Sequence, residues 1–129
     1  MTTATKAETL DDVLHDLAEL APKRFGLQGW YVSGYGHTPQ AFLNDDWFIA
    51  DPDHPQGRAV AQHACQEECQ ARGWTWELYA DKTGGADSFF ATIYRTRSAF
   101  NWVMHDGYGG TPVLAIATVL RDALRAEAP

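Results

Sequence analysis

Cysteine is nearly absent. Cys65 and Cys69 are the only two in 129 residues, too few for the disulfide framework of a small secreted protein. Long apolar runs are missing as well. The most hydrophobic stretch, residues 113–120, is broken by Thr118 and falls far short of the ~20 residues that cross a bilayer. Residues 1–10 lack the apolar core of a secretory signal. The expectation is a cytoplasmic protein with no membrane association. Positive charge is scarce too: 10 Lys and Arg stand against 17 Asp and Glu, for a net charge of −7. No basic stripe is visible, so direct binding to DNA or RNA phosphates is not expected.

What is present suits one folded domain spanning residues 1–129. Hydrophobic residues make up 45% and aromatics 12%, enough for a core without metal or disulfide staples. No internal repeat, low-complexity tract or linker interrupts the chain. The charge is lopsided. Glu8, Asp11, Asp12, Asp16, Glu19, Asp45, Asp46, Asp51 and Asp53 face only Lys6, Lys23 and Arg24 in the first 54 residues. An acidic surface there keeps a protein dispersed, or meets a basic surface on another protein.

Periodicity gives the elements. Leu10, Val13, Leu14, Leu17 and Ala21 repeat at helical spacing, with Thr9 as N-cap and Pro22 and Gly26 as the stop. Residues 30–35 read as a strand broken by Gly34, Gly36 and Pro39. Residues 42–49 read as a hairpin turning at Asn44 and Asp45. Residues 51–57 form a loop, and residues 58–72 a second helix stopped by Gly73. Three strands follow at 74–79, 88–95 and 99–105, the first two joined by a turn at residues 82–85. A glycine loop at 106–110 leads to a helix announced by Thr111 and Pro112. Links between the later strands are short, which permits antiparallel hairpins and not parallel crossovers. The expected fold is α+β, an antiparallel sheet packed by about three helices in an α/β/α-type sandwich.

Residues 55–126 carry a resemblance. An alanine-rich helix ends at Arg72-Gly73, followed by Trp74-Thr75-Trp76-Glu77 and the aromatic strand Phe89-Phe90-Ala91-Thr92. The closing helix opens with Gly110-Thr111-Pro112-Val113-Leu114-Ala115-Ile116-Ala117. This segment resembles the small phage and prophage proteins of the phage ABA sandwich domain. The resemblance implies a phage or mobile-element origin, placing the protein in the cytoplasm of a host cell. It assigns no chemistry. The first 54 residues lie outside it.

The candidate chemistries each lack a part. Cys65 and Cys69 share a helix face, with His54, His63 or His105 as further metal ligands, but no second close pair accompanies them. Buried core thiols explain them, and no metal or cofactor is expected. Ser33, Ser88 and Ser98 lack a G-x-S-x-G elbow, and no catalytic residue is assigned. Gly107, Tyr108, Gly109, Gly110 and Thr111 precede a helix start, where backbone N–H groups hold anions. Neither a dinucleotide fingerprint nor a P-loop lysine is there. The paired aspartates Asp45–Asp46 and Asp51–Asp53 sit in turn contexts where aspartate is ordinary.

Aromatic residues on the later strands suit a sheet covered by helices on both sides. The aromatics Trp30, Tyr31, Tyr35, Trp47 and Phe48 lie in the acidic first half and suit an interface. The leading reading is a phage- or prophage-type accessory protein, a binder rather than an enzyme. It would dock on a host protein, such as the nucleic-acid-handling component of a defence system, in the manner of an anti-CRISPR inhibitor. Its partner-binding residues would be Trp30, Tyr31, Tyr35, Asp45, Asp46, Trp47, Asp51 and Asp53. The alternative is a small-ligand or nucleotide-binding domain, with or without catalysis, using His105 and the loop Gly107, Tyr108, Gly109, Gly110 and Thr111. The oligomeric state stays open.

Overall fold

The computed structural model describes residues 8–30, 37–80, 88–98 and 101–127. The proposed site residues Tyr31 and Tyr35 and the turn at 82–85 lie outside them. Helix α1 spans Leu10–Leu20. Its first turn is closed by a reciprocal cap: the Asp12 N–H donates to Thr9 Oγ1 at 3.2 Å, and the Thr9 N–H donates to Asp12 Oδ2 at 3.1 Å. Leu10, Val13, Leu14 and Leu17 are its buried face.

Strands β1 (Phe25–Trp30), β2 (His37–Leu43) and β3 (Asp46–Ile49) form an antiparallel sheet in that order. The first strand begins five residues before the aromatic run at residue 30. Gly26, expected to be part of a helix stop, lies inside it, paired with Gln40. The hairpin turn falls on Asn44 and Asp45, as the sequence indicates.

Helix α2 spans Pro55–Ala71. It ends at Gly73, whose φ of 73° takes the left-handed conformation that glycine adopts without a steric penalty. Strands β4 (Thr75–Ala80), β5 (Phe89–Ser98) and β6 (Asn101–Gly109) form a second antiparallel sheet in chain order, and helix α3 (Pro112–Glu127) follows. The fold is α+β, with the strands of the described residues divided between two three-stranded sheets.

Helix α3 is the hub. It packs on β4, β5 and β6, and against α1 and α2, which pack in turn on the first sheet. This explains why its burial extends well round the helix: Val113, Ala115, Ile116, Ala117, Val119, Leu120, Ala123 and Leu124 are all buried. Arg121 is buried among them and donates to Glu8 and to Asp16, the latter at 3.1 Å. That contact ties the start of the chain and α1 to its last helix.

The helices cover one face of the second sheet, where Ala91 and Ile93 are fully buried. Among the described residues no helix covers its other face, where the sequence suggests cover on both. Tyr79, Met104 and Tyr108 on the opposite face are about half exposed, at 47%, 55% and 53%.

Candidate functional site

Four of the acidic residues of the first half, Asp45, Asp46, Asp51 and Asp53, stand at the two ends of strand β3. The hairpin is a two-residue loop, with Leu43 paired to Asp46 across it. Asn44 and Asp45 both have positive φ, 51° and 64°. Such turns match the twist of the strands they join, and Asn and Asp tolerate the conformation better than most residues. Asp46 Oδ1 then accepts the Trp47 N–H at 2.7 Å, and the Trp47 ring meets Phe42 edge-on at 5.4 Å. Asp45 and Asp46 are thereby held exposed at the hairpin tip.

Strand β3 is an edge. It pairs with β2, and among the described residues no strand pairs with its other side. Phe48 and Ile49 on it are 40% and 47% exposed. Natural edges usually carry charge or proline to discourage pairing. Here three successive apolar side chains, Trp47, Phe48 and Ile49, lie on the edge itself.

At the far end, the Ala50 N–H donates to the Pro39 carbonyl at 2.9 Å. Asp51 follows, roughly 17 Å along the chain from Asp46 at strand rise. Its Oδ1 accepts the Asp53 N–H at 2.9 Å, and its Oδ2 lies 3.4 Å from His54 Nε2. The start of α2 seats directly on the Asp51 backbone, because Gly57 carries no β-carbon to collide with it. Asp51 and Asp53 line an open cleft of about 430 Å³, together with Thr9, Asp11, Thr38, Pro39 and Pro52. The fold thus adds Asp11, from the first turn of α1, to a group that the sequence showed only as two aspartates. Ile49 was also missed, because hydropathy alone cannot tell an edge from a covered strand. Trp30 lies on β1.

The glycine segment has a different setting. Residues 106–109 are strand and not loop: Asp106, Gly107, Tyr108 and Gly109 pair with Thr92, Ala91, Phe90 and Phe89. A β-carbon on Gly109 would lie 2.5 Å from the Ala115 backbone nitrogen, and one on Gly107 would lie 3.1 Å from Val119 Cγ2. The glycines admit α3 onto β6. Thr111 is the cap, its Oγ1 accepting the Leu114 N–H at 3.2 Å. Strand alternation puts His105 on the helix-covered face and Tyr108 on the open one, so the structure does not bring these two together. His105 Nε2 accepts from Arg95 Nε at 3.0 Å. Burial, then the Arg95 charge, hold its pKa below the ordinary value. Arg95 also donates to Glu127 and lies over the Trp74 ring at 5.8 Å.

Cys65 and Cys69 are buried. Burial pushes the Cys65 thiol well above its usual range and, with Glu68 nearby, raises Cys69 to about 12. His63 is on the exposed side of α2, paired with Glu67 at 3.2 Å. Among the described residues, no three His, Cys, Asp or Glu side chains are grouped to hold a metal ion. None of the described helices is long and apolar enough to cross a membrane.

No protein-family model matches the chain, and no curated protein or solved structure matches it.

Proposed function

We propose that this chain is a phage- or prophage-type accessory protein that binds a basic surface on a host protein. An inhibitor of a nucleic-acid-handling defence component is the concrete form. The single observation that carries the binding role is the β3 edge: exposed Phe48 and Ile49 on a strand whose outer side pairs with no other strand among the described residues, with Asp45 and Asp46 at one end and Asp51 and Asp53 at the other. The phage origin rests on the resemblance in residues 55–126.

The chemistry follows from that arrangement. Carboxylates at both ends raise the encounter rate with a cationic partner and fix its register. The apolar side chains between them supply the contact area that retains it. The backbone N–H and C=O groups on the outer side of β3, which pair with no strand among the described residues, suit an added strand whose side chains alternate between the faces of β3.

The test compares two baits in lysate of a bacterial host. One is the wild-type chain, the other carries Asp45→Asn, Asp46→Asn, Asp51→Asn and Asp53→Asn. Asparagine at 51 keeps the oxygen that accepts from Asp53, so the loop is preserved. The expected result is one dominant protein on the wild-type bait, released by salt and absent from the variant. Phe48→Lys, which places a charge on the edge, abolishes the same capture. Identical proteins on all baits overturn the reading.

A further inference from the structure

The open face of the second sheet carries an ordered aromatic row. Tyr79, Phe90 and Tyr108 are direct cross-strand partners on β4, β5 and β6. Tyr79 and Phe90 stack at 5.5 Å with planes 13° apart, and Phe90 meets Tyr108 at 4.8 Å. The next row on the same face is Glu77, Thr92 and Asp106, also in register. Glu77 and Asp106 are exposed and flank a buried Thr92. Tyr79 Oη donates to Glu77 Oε2 at 2.6 Å, which fixes the tyrosine ring beside the carboxylate. Tyr94 and Met104 continue the face in a third row with Thr75.

We infer that this face binds an arginine-bearing segment of a partner protein. It rests on the reading of the chain as a binder of a basic protein, but it stands on the other sheet from the β3 edge. Charge selects the occupant. Over the three rows Thr75–Tyr94–Met104, Glu77–Thr92–Asp106 and Tyr79–Phe90–Tyr108, the face presents two carboxylates and no lysine or arginine; Arg95 alternates to the covered side. A second copy of the chain laid on this face would set the carboxylates of both copies in one interface, at a cost in repulsion and desolvation. A cation is what the face lacks.

The rings decide which cation. A guanidinium is planar, stacks on an aromatic face and donates two parallel hydrogen bonds to one carboxylate. An ammonium lacks both the plane and the fork. Each carboxylate on this face lies one alternation, roughly 7 Å, from a ring on its own strand. The side chain of one arginine can therefore stack and pair at once. Glu77 and Asp106 are two strands apart, roughly 10 Å, so an extended segment crossing the strands can present one arginine to each.

The experiment titrates the full chain with an Arg-Gly-Gly repeat peptide and with the matching Lys-Gly-Gly peptide. Ring resonances of Tyr79, Phe90 and Tyr108 report the site, and calorimetry gives affinity. The arginine peptide is expected to shift those three rings and to bind more tightly than the lysine peptide. Tyr108→Ala, and Glu77→Gln with Asp106→Asn, should each weaken it by roughly tenfold, in protein that still unfolds cooperatively, Tyr108→Ala with a thermal midpoint lowered by a few degrees for the lost contact with Phe90. Glu19→Gln, which neutralises an exposed carboxylate on α1, should leave the affinity unchanged. Equal binding of both peptides, or binding untouched by the sheet variants, overturns the inference. So does loss only with Asp45→Asn and Asp46→Asn, which assigns the cation to the β3 edge. Silence toward both peptides while a neutral oligosaccharide shifts the same rings also overturns it. Failure here with host capture still dependent on Asp45 to Asp53 leaves the functional reading standing; the reverse outcome removes that reading alone.

Discussion

Substituting Gly109 by alanine separates two accounts of the glycines that precede α3. If they form a ligand loop, an added methyl disturbs binding and leaves the fold intact. If they are the seat of the helix, the fold itself suffers. The geometry favours a large effect. The new β-carbon would stand 2.5 Å from the Ala115 nitrogen and 3.0 Å from both Ala115 Cα and the Leu114 carbonyl carbon. All three are backbone atoms of the first turn of α3, so no side-chain rotation relieves the clash. The helix must move off the sheet, or β6 must bend. Overpacking of this kind costs about 3 kcal/mol, the upper end of the usual range.

Gly107 is the internal control. A β-carbon there meets Val119 Cγ2 at 3.1 Å, a side-chain methyl that can yield by a few tenths of an ångström. Alanine also recovers about 0.5–1 kcal/mol by limiting the unfolded chain. Gly107→Ala should therefore lie within about 1 kcal/mol of wild type. With an unfolding entropy of about 2.1 cal/mol/K per residue over 129 residues, Gly109→Ala should lower the thermal midpoint by roughly 10 °C. Urea denaturation with an unchanged slope supplies the free energies. A Gly109→Ala protein as stable as wild type, or a Gly107→Ala protein as damaged as Gly109→Ala, refutes the packing argument.

Other consequences are as direct. Asp45→Gly relieves a positive φ of 64° and should raise the unfolding free energy from urea denaturation by about 0.5–1 kcal/mol while weakening host capture; an unchanged free energy would deny the strained turn. The thiols should be silent toward a disulfide reagent in the folded protein. With Cys69 raised to about 12, on the order of one molecule in ten thousand carries its thiolate at pH 8, and labelling should follow unfolding; rapid modification of folded protein contradicts this. Acid should destabilise the fold from the ordinary histidine value of 6.5 downward. The lowered pKa of His105 means that the unfolded chain takes up its proton first, so stability falls until the folded-state pKa is passed. Glu8, held below its ordinary 4.5 by Arg121, extends the loss to lower pH with the same sign. His105→Gln should flatten the upper part of a plot of urea midpoint against pH; a curve that keeps its slope there assigns the effect elsewhere.

Much of this fold was legible where one local signal sufficed. The apolar spacing and Thr9 cap located α1, the Asn44–Asp45 pair located the hairpin, and Gly73 and Thr111-Pro112 located helix ends. Legibility failed where a residue type carries two meanings. Gly26 looked like a helix stop and is a strand residue opposite Gln40. The division of the strands into two sheets could not be read at all, since it depends on which distant strands fail to pair. The acidic site was half visible. Its aspartates stood out, but the cleft needs Asp11 from α1, a residue that sequence spacing assigned to a helix start and nothing more.

The open aromatic face was the larger omission, and the signal for it was present. On β5, alternation separates Phe89, Ala91 and Ile93 from Phe90, Thr92 and Tyr94, and both sets look coverable. Periodicity names the residues that share a face; it does not say which face receives a helix. Size does. A helix lies close to a sheet only where both surfaces are small at the point of contact. Ala91, Gly107 and Gly109 occupy one face of the second sheet, and Ala115 of α3 meets it at Gly109. The bulky rings of Tyr79, Phe90 and Tyr108 occupy the other. The glycines read as a flexible loop and the tyrosine between them are therefore two sides of one strand: on β6, Gly107 and Gly109 are kept small for the helix, and Tyr108 between them is large and faces out.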